Sequence, residues 1–79
     1  MGDVEESIHI IIYSKYNMKS FISHAKNIDN LVKDILSLSQ QCFEYMVIEK
    51  YVNPLKKFEI YSDDFKYESN IRNIAKCFF

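Results

Sequence analysis

The chain has one glycine, and it stands at position 2. Glycine is the residue that supplies positive φ in tight turns and lets a backbone approach a phosphate closely. With none in the interior, every turn must be made by Asn, Asp, Ser or Pro, and no Gly-rich phosphate loop, Walker motif or nucleophile elbow can be assembled. The chain is therefore expected to be non-enzymatic and to use no cofactor.

Its 79 residues imply a single domain spanning 1–79, with residues 1–5 expected to be flexible. A domain of this size hides only about 60% of the surface its unfolded chain exposes. Even so, 48% hydrophobic and 15% aromatic residues exceed what a disordered chain carries, so a compact core is expected without disulfides or metal. Ten basic residues against eleven acidic ones leave a formal charge of −1, which gives no broad field for drawing in nucleic acid or an anionic membrane. The opening MGDVEES is acidic where a secretory signal has a basic segment, and no apolar run approaches a membrane span. A cytoplasmic location is the expectation. Gly2 suggests N-myristoylation, but Glu6 occupies the position where that pattern wants Ser or Thr. Nine Lys to one Arg, with eleven Ile, six Asn and six Tyr, is the usage of an AT-rich genome, as in low-GC bacteria, their phages, and some viruses and protists.

SIHIIIYSK, residues 7–15, reads as a strand over residues 6–13. Ile8, Ile10 and Ile12 fall on one face and His9, Ile11 and Tyr13 on the other. Both faces are largely apolar, which suits a strand flanked by others. Met18, Phe21, Ile22, Ala25, Ile28, Val32, Ile35 and Leu36 recur at helical spacing. Asn27 followed by Ile28, Asp29 and Asn30 marks a helix start, so a helix is placed at 28–40, with residues 18–26 left open. CFEYMVIEKYV at 42–52 and LKKFEIYS beyond Asn53-Pro54 read as a β-hairpin. An odd-length loop puts Met46, Ile48 and Val52 on the face of Phe58 and Ile60, whereas an even one mixes apolar residues with charges, so a three- or five-residue connection starting at Asn53 is expected. Ser62 or Asp63 then caps a closing helix with the stripe Tyr67, Ile71, Ile74, Ala75 and Phe78.

The expected fold class is thus α+β, in β-α-β-β-α order, with helices packed on one face of a three-stranded antiparallel or mixed sheet. A competing all-α bundle rests on the capping-box spacing of Asp3 and Glu6 and on residues 28–51 running as one helix, with Ile28, Leu31, Ile35, Cys42 and Met46 aligned.

Several residues invite chemistry. His9 sits on the first strand with no nucleophile or acid at a suggestive spacing, so packing is its expected role, and His24 reads as a solvated histidine. Cys42 and Cys77 complete a nominal set of four zinc ligands, but structural sites draw ligands in close pairs and none exists here; the cysteines are expected to be buried free thiols. A Cys42–Cys77 disulfide would need an oxidising compartment. Asp63, Asp64 and Glu68 are accounted for by helix capping and the helix dipole. No metal site is expected.

The hairpin's second face carries more information. Tyr45, Val47, Glu49 and Tyr51 lie opposite Lys57, Glu59 and Tyr61, with Tyr13 and Ile11 extending the same surface. Two helices can cover only one sheet face, and tyrosine gives a large rigid contact area with a polar tip. The ordinary alternative is that cross-strand tyrosine pairs stabilise a wet face. Tyr13, Tyr45, Tyr51, Tyr61, Glu49, Lys57 and Glu59 are the candidate partner-binding residues, the partner being another protein or a second copy, through this face or the adjoining edge strand. In size, glycine scarcity and AT bias the chain looks like phage-encoded proteins that block host enzymes or defence systems, anti-CRISPR proteins among them, a likeness of size and composition that no motif carries. Single-stranded nucleic-acid binding by base stacking is the alternative from another class. It is disfavoured by the charge balance and by the absence of an RNP-type sequence, Lys50, Lys56 and Lys57 being the only basic cluster. A homodimeric structural subunit is equally compatible.

Overall fold

A computed structural model describes residues 7–79. The expected flexibility of residues 1–5, the Asp3–Glu6 spacing and the Gly2 question lie outside the described residues.

The elements are β1 (Ile8–Ser14), β2 (Asn17–Ser23), α1 (Ile28–Leu38), β3 (Tyr45–Lys50), β4 (Lys56–Tyr61), a 3₁₀ segment (Ser62–Lys66) and α2 (Glu68–Lys76). The strands form one sheet in the order β2-β1-β3-β4, and every pairing is antiparallel. The fold class is α+β, with four strands in place of the expected three. The all-α alternative is overturned by the strands at 8–14 and 45–50, where β-branched residues in succession favour a pleated surface over a helix.

The added strand is the segment left open at 18–26. β1 turns through Lys15 and Tyr16 and comes straight back, pairing Ser14 with Asn17 and Ile8 with Ser23. The turn uses no residue with positive φ, and the Ser14 hydroxyl donates to the Asn17 carbonyl across it at 3.2 Å. Pairing on both sides makes β1 a central strand, which is why both its faces are apolar.

Inward-pointing residues build the core. Ile8, Ile10 and Ile12 of β1, Met46 and Ile48 of β3 and Ile60 of β4 meet Leu31, Val32 and Ile35 of α1 and Ile71 and Ala75 of α2, with Phe78 beyond it. The hairpin register is as argued from its pattern: Ile48 pairs with Phe58 and Met46 with Ile60. The connection spans five residues, odd as expected, but β3 ends at Lys50 and β4 begins at Lys56. It therefore starts at Tyr51, not Asn53, and Val52 belongs to the loop, not to the inner face. Asn53-Pro54 is a cis peptide.

Asn27 caps α1 as its sequence suggested, its side chain accepting from the Asn30 N–H at 2.8 Å, which satisfies one of the helix's orphan donors. The second helix departs from expectation. Residues 62–66 form a 3₁₀ segment, and α2 begins only at Glu68, where Tyr67 stands at the N-cap without a side-chain capping bond. Tyr67 is exposed and does not belong to the buried stripe, whereas Ile71, Ala75 and Phe78 do. Arg72 links the helices, donating to Asp29 at 2.6 Å and to Glu68 at 3.3 Å. Such an exposed pair contributes little stability and mainly fixes alignment. Ser23, at the end of β2, is tied to α1 by a 2.6 Å hydrogen bond from its hydroxyl to the Asp34 carboxylate.

Truncating Ile48, fully buried at the sheet centre, is expected to cost about 2–5 kcal/mol in the Ile48→Ala variant. Asn27→Ala should cost about 1 kcal/mol through the lost cap, and Ile22→Ala, on an exposed edge position, about 0.5 kcal/mol or less. Urea denaturation of the three variants checks the ranking.

Candidate functional site

Both helices lie against the inner face, so the outer face is the site to build. Strand alternation puts His9, Ile11 and Tyr13 of β1 there, with their paired residues on either side. The register arranges them in three rows across the sheet. Met18, Tyr13, Tyr45 and Tyr61 form the first, Ser20, Ile11, Val47 and Glu59 the second, and Ile22, His9, Glu49 and Lys57 the third.

The first row is a run of phenols in contact. Tyr13 and Tyr45 stack at 4.6 Å between ring centroids with 12° between planes, and Tyr45 meets Tyr61 at 5.6 Å in a tilted arrangement. Offset contacts of this kind stabilise beyond the area they bury, which helps β3 hold both neighbours in register. At the opposite end Tyr51, just past β3, presents its ring edge-on to His9 at 5.0 Å, and its hydroxyl donates to Glu49 at 3.2 Å. Between these aromatic ends Val47 is only 6% exposed, although among the described residues no helix or strand lies over this face.

All seven candidate residues, Tyr13, Tyr45, Tyr51, Tyr61, Glu49, Lys57 and Glu59, thus fall on one continuous face. Sequence reasoning missed Met18, Ser20 and Ile22, the β2 margin of this face, because their segment carried helical spacing. The signal that could have found them is the polar dipeptide Lys15-Tyr16 between Ser14 and Asn17, a hairpin turn made without glycine. His9 is part of the face through Tyr51, and His24 is exposed, its Nδ1 3.5 Å from the Ser7 hydroxyl. Cys42 and Cys77 are exposed free thiols, not the buried ones expected. Each falls outside the packed elements, Cys42 in the loop before β3 and Cys77 at the end of α2. Among the described residues no three His, Cys, Asp or Glu side chains converge to hold a metal ion, and no helix is long and apolar enough to cross a membrane.

The face carries Glu49 and Glu59 against one lysine, Lys57. Two carboxylates to one ammonium repel a phosphate backbone more than they attract it. The carboxylates also act on the phenols. Glu49, by its charge and by the hydrogen bond it accepts, raises the pKa of Tyr51. Burial, then Tyr13 and Glu59, raise that of Tyr45.

Comparison with protein families, curated proteins and solved structures gives no match to this chain. The face must therefore be read from its own chemistry.

A phenol pKa raised in the folded state favours the protonated ring. This contribution to stability is complete below the ordinary value of about 10 and is lost as pH climbs through the raised values. In an ultraviolet phenolate titration Tyr45 and Tyr51 should ionise above the ordinary phenol value, and Glu49→Gln should return Tyr51 toward its ordinary range while leaving Tyr45 raised.

Proposed function

We propose that this protein is a non-catalytic binding module that acts by occupying a partner protein's surface with the outer face of its sheet. The observation that carries this reading is the row Tyr13–Tyr45–Tyr61, packed ring to ring on a face that no other part of the described chain covers. Aromatic rings already immobilised by stacking lose little conformational freedom when a partner seats on them, and each phenol still has a polar tip to direct. Tyr51 and His9 form a second aromatic cluster at the other end of the face. Glu49, Glu59 and Lys57 lie at and between these ends, where charge sets orientation and rejects wrong partners more than it adds affinity. The fitting partner presents a flat, mildly basic surface with hydrogen-bond acceptors for the phenols. An inhibitor that blocks a host enzyme or defence component by steric occupation is one use of such a module.

The test pairs two variants. Tyr45→Ala with Tyr61→Ala breaks the stacked row, and Ser69→Ala lies on the exposed flank of α2. Partners captured from a cell lysate by the wild type should be lost with the tyrosine variant and kept with the α2 variant, both variants retaining the wild-type circular dichroism spectrum. Retention of every partner by the folded tyrosine variant would remove the sheet face from the proposal. A gel shift with labelled single strands at low salt should show no binding; a shift that fades as salt rises would favour the nucleic-acid reading instead.

A further inference from the structure

The sheet ends differently on its two sides. β4, on one edge, carries Lys56, Lys57 and Glu59 within six residues, the charge pattern by which proteins discourage strand pairing at an edge. β2, on the other, spans seven residues with Lys19 as its single charge, and five of the seven are exposed. Met18 and Ile22 stand 56% and 58% exposed on its outer face. Behind it, between β2 and α1, runs a groove of about 200 Å³ lined by Ile10, Phe21, Ser23, Asp34 and Leu38. Asp34 is the one acidic residue in that lining.

The geometry points to a second copy of this chain as the occupant of this edge, its β2 added antiparallel to extend the sheet. A two-fold axis normal to the sheet requires paired residues to share a face, so the register must centre on a residue. Centring on Ser20 gives complementary partners at positions 18 to 22, the Met18 N–H exchanging its single-copy bond to the Asn17 side-chain oxygen for one across the axis. Met18 meets Ile22 of the other copy on the outer face, twice. Ser20 meets Ser20 at the axis, hydroxyl to hydroxyl. On the inner face Lys19 of each copy lies beside Phe21 of the other, at the mouth of the groove that holds Asp34. In one copy alone the Lys19 ammonium has a weak neutral contact, 3.4 Å to the Gln41 amide oxygen. Across the axis a carboxylate comes within reach of its four-carbon stem, so the one cation of the strand meets the one anion of the groove in both directions. The strand is about 24 Å long at about 3.4 Å per residue, which puts the interface at the small end of specific contacts and the dimer in the micromolar range. The inference is independent of the sheet-face proposal: the phenol rows of both copies would lie on the same side of an eight-stranded sheet and remain open.

Sedimentation of the full chain across a concentration series from low micromolar to millimolar tests it. A reversible monomer–dimer equilibrium is expected. Lys19→Glu and Asp34→Lys should each raise its dissociation constant roughly tenfold or more, and the two combined should restore it, whereas Tyr45→Ala with Tyr61→Ala should not move it. Because Asp34 also accepts from Ser23, a second measurement stands apart from that residue. In a Cys42→Ser, Cys77→Ser background, Ser20→Cys should form a disulfide-linked dimer under mild oxidation, since residues opposed at the axis lie about 5 Å apart. Met18→Cys should not, its own copy lying about 14 Å away along the strand. A monomer throughout the series, or equal cross-linking of the two cysteine variants, overturns the inference.

Discussion

Two short helices have to shield a sheet wider than either. At about 1.5 Å per residue, the eleven residues of α1 and nine of α2 make rods of about 16 and 14 Å. Four strands at about 4.8 Å spacing set the outer strands about 14 Å apart, wider than the roughly 10 Å diameter of one helix. Laid side by side and joined through Arg72, the helices cover one flat and no more. Ile8, Ile10, Ile48 and Ile60 lie under them and are almost wholly removed from water. Among the described residues nothing lids the opposite flat, and its composition suits a face that meets water.

Tyrosine meets the requirement because one side chain gives both apolar area and a solvated end. Three phenols in a row across β1, β3 and β4 join the strands through side-chain contact as well as through the backbone ladder. Tyr51, outside any strand, closes the far end by resting on His9 and donating to Glu49. His9 is therefore part of an aromatic surface: its ring meets Tyr51 edge-on, with Glu49 opposite it in the strand register.

How much of this was legible depends on whether a residue's environment follows from its neighbours in sequence. β1, α1 and the β3–β4 hairpin were legible because each buries a single regular face, so Met46, Ile48, Phe58 and Ile60 fix the register and Asn27 marks a helix start. β2 was not. An edge strand with most of its residues in water has no face to keep apolar, and the chance spacing of Met18, Phe21, Ile22 and Ala25 imitates a helix. The same holds for Tyr67, which fits the stripe of α2 by spacing but precedes the helix, because Asp63 and Asp64 begin a 3₁₀ segment instead of capping it. The candidate face was legible in its β3 and β4 portions, where the inner register dictates the outer one. Its β2 margin was invisible for the reason that β2 itself was.

β1 carries apolar residues on both sides, and the outer ones are not left bare. Ile11 is half-buried and Val47 nearly fully so. The aliphatic centre of the outer face is thus largely withdrawn from water, and around it solvent meets phenol, carboxylate and, on the β2 margin, Met18 and Ile22. A surface of this kind differs from an exposed core. Its apolar atoms gain little from being covered again, so nonspecific collapse onto it is weakly driven. The proposed attachment would therefore draw on shape and on well-placed hydrogen bonds to the phenols. Under the proposed binding function, recognition there is a matter of geometry more than of greasy area.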